Sequence, residues 1–220
     1  MASPHQATAL RSRLNANTAP NTIAVSVLAI LIGAPLGLGL ALIRWGQVRG
    51  IDSIVATIVS LLRATPAVTL VLLVYFALPT IGLELPRFAA AVATLTLGTM
   101  AYNCEIWRAT LLAFPSDQLD AARAFGMPRG LRVRLIVLPQ IARAALPALV
   151  NEMTLIIKVS PAVAVIGVIE ATRAAVRIGA ATYNPIPPFL VALAIYVGVI
   201  GAFVAAQRAL ERRHRRGTRA

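Results

Sequence analysis

Five residues carry charge or amide chemistry inside apolar surroundings: Arg63, Glu105, Asn151, Glu152 and Lys158. A charge near the centre of a bilayer costs at least ~2.5 kcal/mol on insertion scales, so such side chains turn toward protein or water. Taken singly, each also has a structural explanation. Arg63 can snorkel to the interface, and Glu105 can pair with a nearby arginine. Taken together they favour a polar solute pathway. Asn151 and Lys158 are seven residues apart and so share a helix face, two turns from each other. Pro66 and Pro161 break their helices near mid-membrane. Such breaks are tolerated where protein or a water-filled cavity satisfies the freed backbone, and a broken helix can present polar backbone to a solute.

The elements that must position these residues are apolar spans. The chain has 220 residues, of which 58% are hydrophobic and 13% charged, with a mean hydropathy of +0.78. Soluble domains carry about a quarter charged residues, so the composition points to a membrane. A helix needs about 20 apolar residues to cross ~30 Å of hydrocarbon. Five segments qualify: 22–43, 53–78, 88–113, 149–168 and 187–207. Residues 1–21 form a polar N-terminal segment and 208–220 a basic tail. The region 114–148 reads as too charged to be a span. In span one Gly33 and Gly37, joined by Gly39, form a small-residue pattern suited to helix packing.

Several functions are excluded on the same evidence. Cys104 is the one cysteine, and His5 and His214 lie in the polar tails, so no cysteine or histidine metal centre is expected. No phosphate-binding GxxxxGK[ST] loop is present, and the opening residues lack the basic-then-apolar order of a cleavable signal peptide. The net charge of +13 does not read as a nucleic-acid footprint, because the arginines occupy the gaps between apolar runs and aromatics are few. Those gaps are asymmetric. With the C-terminal tail inside, fourteen arginines lie on its side of the membrane and five (Arg11, Arg13, Arg87, Arg173 and Arg177) on the other. Positive-inside counting over five spans therefore puts the N-terminus outside and residues 114–148 in the cytoplasm.

Within that cytoplasmic region, 117–126 reads as a short helix. Ser116 or Asp117 can cap it, Asp120 suits the positive end of the dipole, Gly126 can adopt the left-handed C′ conformation, and Pro128 prevents continuation. Leu119, Ala122, Phe125 and Gly126 fall on one face. At 1.5 Å per residue the helix is roughly 12–15 Å long, a knob that fits a groove on a partner; a solvated loop is the alternative. The following "LRVRLIVLP" reads as a surface helix that stops near Pro139, since an isolated strand at the bilayer leaves backbone groups unpaired.

These residues resemble a known signature. Bacterial ABC importer permeases carry a cytoplasmic EAA-three-G-nine-I-x-L-P motif, and Asp120, Ala121, Ala122, Gly126, Ile136, Leu138 and Pro139 match its spacing with Asp in place of Glu. The resemblance runs from about residue 22 to the end and is most similar to the polar amino-acid branch. "LLRATPAVTL" resembles its Arg-Gly-Thr-Pro segment, "AYNCEIWRA" its Ala-Glu-Ile-x-Arg-Gly segment, and the stretch around Asn151 and Lys158 its Asn and Lys-Asp-Thr-Ser-Leu. It implies an all-α type I importer (MetI-like) fold of five transmembrane helices with a coupling helix, in the bacterial inner membrane. It also implies coupling through Asp120, Ala121, Ala122, Phe125, Gly126, Ile136, Leu138 and Pro139, and a solute pathway near Arg63, Thr65, Pro66, Glu105, Asn151, Lys158 and Ser160. The implied partners are a second permease subunit, an external solute-binding protein and an ATP-binding subunit dimer that holds the ATP and Mg; this chain itself holds no cofactor and is not an enzyme.

One departure bears on the solute. Val159 stands where the family commonly has Asp, so an acid that could hold a substrate ammonium is missing. Either the second subunit supplies one or the solute is not an ordinary α-amino acid, an opine or methionine-like ion for example. Glu105 is then the local candidate for meeting a cationic group. An ATP-independent ion-coupled carrier is the distant rival. It would usually show internal repeats, and none is evident.

Overall fold

The computed structural model describes residues 4–46 and 50–217, with side chains described from 20 onward except at 206, 207 and 209–217. Arg49 and Arg219 of the charge count, and the side chains of His5 and His214, lie outside these. Nine α-helices are described, and no strand among these residues: α1 (Pro4–Trp45), α2 (Ile51–Ala64), α3 (Ala67–Ala77), α4 (Arg87–Leu112), α5 (Ser116–Ala124), α6 (Arg129–Arg132), α7 (Leu138–Val159), α8 (Ala171–Thr182) and α9 (Ile186–Gly217). The backbone is helical from Pro4 and again as far as Gly217, so most of the polar N-terminal segment and basic tail continue the neighbouring spans.

Among the described residues, Pro20–Trp45, Arg129–Ile166 and Ile186–Ala205 are long and apolar enough to cross a bilayer, and α2 with α3 adds a fourth span if that bent pair counts as one. Helix α4 has the length, at 26 residues, but is more polar. Its Thr94, Thr96, Thr99 and Asn103 are buried against protein, which is how a membrane helix accommodates polar side chains.

Helices α1 and α4 pack closest, and glycine is the reason. A Cβ on Gly33 would stand 2.7 Å from Thr99 Cβ, and one on Gly37 would stand 2.7 Å from Asn103 Cβ and 2.8 Å from the Met100 carbonyl. Both glycines and both partners are spaced by four, so the contact follows one ridge on each helix. Gly39, grouped with them on sequence, meets nothing within 4 Å. Around this seam lie two apolar clusters. Val25, Val71, Leu95, Ile156 and Val163 belong to one, and Ala41, Val59, Trp107, Val137 and Ile141 to the other.

Two expectations are corrected. The segment 114–148 is not loop throughout, because a continuous helical run of 38 residues, Arg129–Ile166, includes its second half. At 1.5 Å per residue that run is roughly 57 Å, more than the ~30 Å of hydrocarbon, so one end must project from it. Pro139 does not stop the helix. It occupies the first turn of α7 after a π-helical stretch, Val133–Val137, in which the Leu138 N–H donates to the Val133 carbonyl. The wider register leaves room for a ring that would otherwise clash one turn back. Between the last two expected spans the chain forms a further helix, α8. Glu170 is its N-cap: the fully buried carboxylate accepts from the Thr172 and Arg173 N–H groups at 2.7 and 2.6 Å and from the Tyr196 hydroxyl of α9 at 2.6 Å.

The glycine seam gives a direct test. Gly33→Leu and Gly37→Leu are expected to destabilise the protein by about 1–3 kcal/mol, the usual cost of overpacking, whereas Gly39→Ala leaves stability unchanged or slightly raised. Thermal melting of the purified protein followed by size-exclusion chromatography measures all three.

Candidate functional site

The chain breaks at Thr65–Pro66, where α2 and α3 meet at 111°. Proline supplies the cause, since it has no N–H to continue the ladder and biases the preceding residue to extended backbone; Thr65 has φ −81° and ψ 126°. Its hydroxyl donates to the Leu61 carbonyl at 2.8 Å, closing the end of α2. Pro66 is the N-cap of α3 and offers no side-chain acceptor, so the first N–H groups of α3 stay free at the corner.

A cleft of about 380 Å³ opens there, lined by the α2–α3 corner, by Thr94, Gly98 and Tyr102 on α4, and by Glu152 and Val159 on α7. The Arg63 guanidinium lies 5.3 Å from the centroid of the Tyr102 ring, a cation–π contact, and the Tyr102 hydroxyl donates to the Arg63 carbonyl at 3.3 Å. Arg63 is the positive charge facing Glu152 across the cleft. Glu152 is 5% exposed, and among the described residues its carboxylate has no hydrogen-bond or ion-pair partner. The cleft thus pairs a guanidinium and an uncapped helix start with an unpartnered carboxylate. A zwitterion needs both kinds of group.

The expected pathway residues divide. Arg63, Thr65 and Pro66 line the cleft. Asn151 and Lys158 share a face, as their spacing implies, but it is an exposed face of α7 outside the cleft. Ser160 is buried and its hydroxyl donates to the Ile157 carbonyl at 2.8 Å. Glu105 is not at the cleft. It joins Arg44 and Arg108 in ion pairs, with Arg108 Nη2 at 2.9 Å, and Arg44 reaches on to Asp52 at 2.9 Å. That cluster ties the end of α1 and the start of α2 to α4. The carboxylate that does reach the cleft is Glu152, seven residues before Val159 on the same side of α7.

The segment expected at 117–126 forms a short helix with a different start. No side chain caps it; Pro115 is the N-cap of α5. Its end is as expected. Gly126 has φ +70°, the Gly126 N–H donates to the Arg123 carbonyl and the Met127 N–H to that of Ala122, which is the Schellman pattern. The small face points inward rather than at a partner. Ala122 is 4% exposed and Leu119 packs on the inner apolar cluster, while Phe125 is 87% exposed. Asp120 and Ala121 are exposed too, and Asp120 pairs with Arg123 at 2.7 Å. Ile136 and Leu138 are partly buried and Pro139 is exposed. Gln140 donates to Gln118 at 2.7 Å, joining α7 to α5.

A broken span beside a charged cleft, with a separate helix held at one end of the bundle, defines a membrane permease subunit. The chain belongs to the family of binding-protein-dependent transport system inner membrane components, which it matches over residues 33–216, and its all-α architecture is that of ABC importer permeases. It is 36% identical to the arginine transport system permease protein ArtQ of Bacillus subtilis over 87% of this chain and 88% of that one. Against the nopaline transport system permease protein NocM of Agrobacterium fabrum it is 36% identical over 81% and 78% of the two chains. A solved structure described as an amino acid ABC transporter with histidines superposes with a TM-score of 0.84 at 31% identity, covering 97% of this chain and 100% of that one. The methionine transporter MetNI shares the fold, with a TM-score of 0.74 at 22% identity over 96% and 98%.

Because the Arg44 side chain is only 9% exposed, removing its partner leaves a buried charge short of acceptors. Glu105→Ala is expected to cost about 1.5–3 kcal/mol. Combining it with Arg44→Ala should cost less than the sum of the two single changes. Melting curves of the four proteins of that cycle measure the coupling.

Proposed function

We propose that this chain carries a small amino acid or amino-acid derivative across the bacterial inner membrane, using the corner cleft as its solute site and a partner ATPase as its motor. The observation that carries the reading is the unpartnered, buried Glu152 opposite Arg63. A solute ammonium or guanidinium completes the first, and a solute carboxylate is met by the second and by the free N–H groups of α3. Glu152 takes over the part that the missing acid at Val159 would play, and Glu105 is instead a structural clamp. The relatives named for arginine, nopaline and octopine transport all concern solutes that combine a cation with carboxylate. An opine is the second reading, favoured by that likeness to NocM and by a cleft roomier than a single small amino acid needs.

The remaining organisation follows the same proposal. Five spans place the N-terminus outside and the arginine-rich end, with α5, in the cytoplasm. A dimer of ATP-binding subunits holds ATP and Mg and receives α5. Phe125 is the residue that enters the ATPase groove, while Leu119 and Ala122 seat the helix on the permease. Gln118–Gln140 and the ion cluster around Glu105 then relay motion of α5 to α7 and α4, whose residues line the cleft. A second permease subunit completes the path against the exposed face of α7 that carries Asn151 and Lys158, and an external binding protein delivers the solute.

Two measurements test this. Glu152→Gln should weaken equilibrium binding of a cationic amino acid to the solubilised permease–ATPase complex by at least tenfold, the worth of one charge-assisted contact of ~1.4 kcal/mol or more, with assembly intact. Unchanged binding would sink the assignment. Phe125→Ala should strip the ATPase from the complex on gel filtration, and Asp120→Ala should change it little, because an exposed pair such as Asp120–Arg123 contributes about 0–1 kcal/mol. Uptake by proteoliposomes without any ATPase subunit would instead favour an ion-coupled carrier.

A further inference from the structure

A second cavity, of about 490 Å³, lies between the end of α1, the docking helix α5 and the start of α6, lined by Trp45, Leu119, Arg123, Arg129, Arg132 and Val133 among others. Three guanidinium groups converge on it. Arg123 is engaged by Asp120, but among the described residues Arg129 and Arg132 have no acidic partner. Arg132 Nε is moreover buried with no hydrogen-bond acceptor. A buried guanidinium donor is rarely left unmade in a native protein, so an acceptor beyond the described residues is called for.

The rest of the lining says which kind. Trp45 closes the first apolar span, Pro20–Trp45, and tryptophan at the end of a span suits the membrane interface. Leu131 and Leu135, beside the arginines in sequence, are 43% and 58% exposed, which suits a helix start lying at the boundary between headgroups and acyl chains. The aromatic and aliphatic side of the cavity would be idle against a free ion but can cover the glycerol of a lipid. Phe125 marks the proposed ATPase contact and is not part of this lining.

We infer that this cavity binds the phosphodiester headgroup of an anionic phospholipid of the cytoplasmic leaflet, with Arg129 and Arg132 as its ligands and Trp45 against its glycerol. The leaflet rests on the orientation proposed above; binding itself does not depend on the direction of transport or on the cleft at Glu152. A lipid held there would sit between the first span and the docking helix, filling the space beneath α5.

The test uses the intact permease–ATPase complex, delipidated in mild detergent and titrated with short-chain phosphatidylglycerol or phosphatidylcholine while retained lipid is counted by native mass spectrometry. Wild type should retain phosphatidylglycerol in preference to phosphatidylcholine. The double variant Arg129→Ala/Arg132→Ala should bind it roughly twenty-five-fold more weakly, at about fivefold per arginine. Arg134→Ala, on an exposed residue outside the lining, should change little. If the alanine pair does not fold, Arg129→Lys/Arg132→Lys keeps the charges, loses the planar fork and should show an intermediate loss. The assignment is overturned by equal retention in wild type and variant, or by equal retention of both lipids. It is overturned as well if millimolar inorganic phosphate displaces the lipid, which makes this a free-anion site, or if the alanine variant sheds its ATPase, which makes the arginines part of that interface.

Discussion

The close approach of α1 and α4 at Gly33 and Gly37 is the constraint on which the rest of the arrangement depends. With no side chain at either position, the two backbones meet near Thr99, Met100 and Asn103. In lipid there is little hydrophobic gain from bringing two helices together, so such packing is what holds them. Once α1 and α4 are joined along this ridge, Arg44 at the end of one stands beside Glu105 on the other. The two apolar clusters then form on either side of the cleft level. Above and below are packed side chains; between them the broken span leaves its corner.

That corner shows how one covalent feature sets several properties. Proline at 66 turns the chain through 111°, and the turn exposes the first N–H groups of α3. It also lets Arg63 fold back over Tyr102, so the charge is held by a ring rather than by a carboxylate and stays available to the cleft. Glu152 is buried opposite it. Keeping that acid from water costs free energy, and a cation in the cleft or a closer approach of Arg63 would offset it.

Much of this was legible in the sequence, and the misses have physical causes. Pro66 marks a break because proline acts locally, whatever surrounds it. Gly126 marks the end of α5 for the same reason. Glu105 and Glu152, by contrast, look alike in sequence, each an acid in an apolar run. What separates them is that Arg44, 61 residues from Glu105, is brought beside it by the glycine seam, and no local pattern records that meeting. The stripe Thr94, Gly98 and Tyr102 at four-residue spacing lines the cleft on α4, but what it faces on α7 leaves no local pattern. On α5, periodicity revealed a small face at Leu119 and Ala122 but not what covers it; the permease itself does. Pro139 misled because its local meaning is a stop, and only the neighbouring hydrogen bond shows how the helix passes through it.

That passage has a consequence for how the two ends of the protein are kept in phase. From Arg129 to Val159 one helical run carries arginines at its start and the cleft residues Glu152 and Val159 near its far end. Each residue advances a helix by 100° and 1.5 Å, so adding or removing one between these regions would turn Glu152 away from Arg63 without altering a single contact residue. The π stretch at Val133–Val137 is the place where such an angular offset has been absorbed. The helix therefore fixes the angle between its arginine-bearing start and its cleft face, and a change of one residue in that stretch would turn one against the other by about 100°.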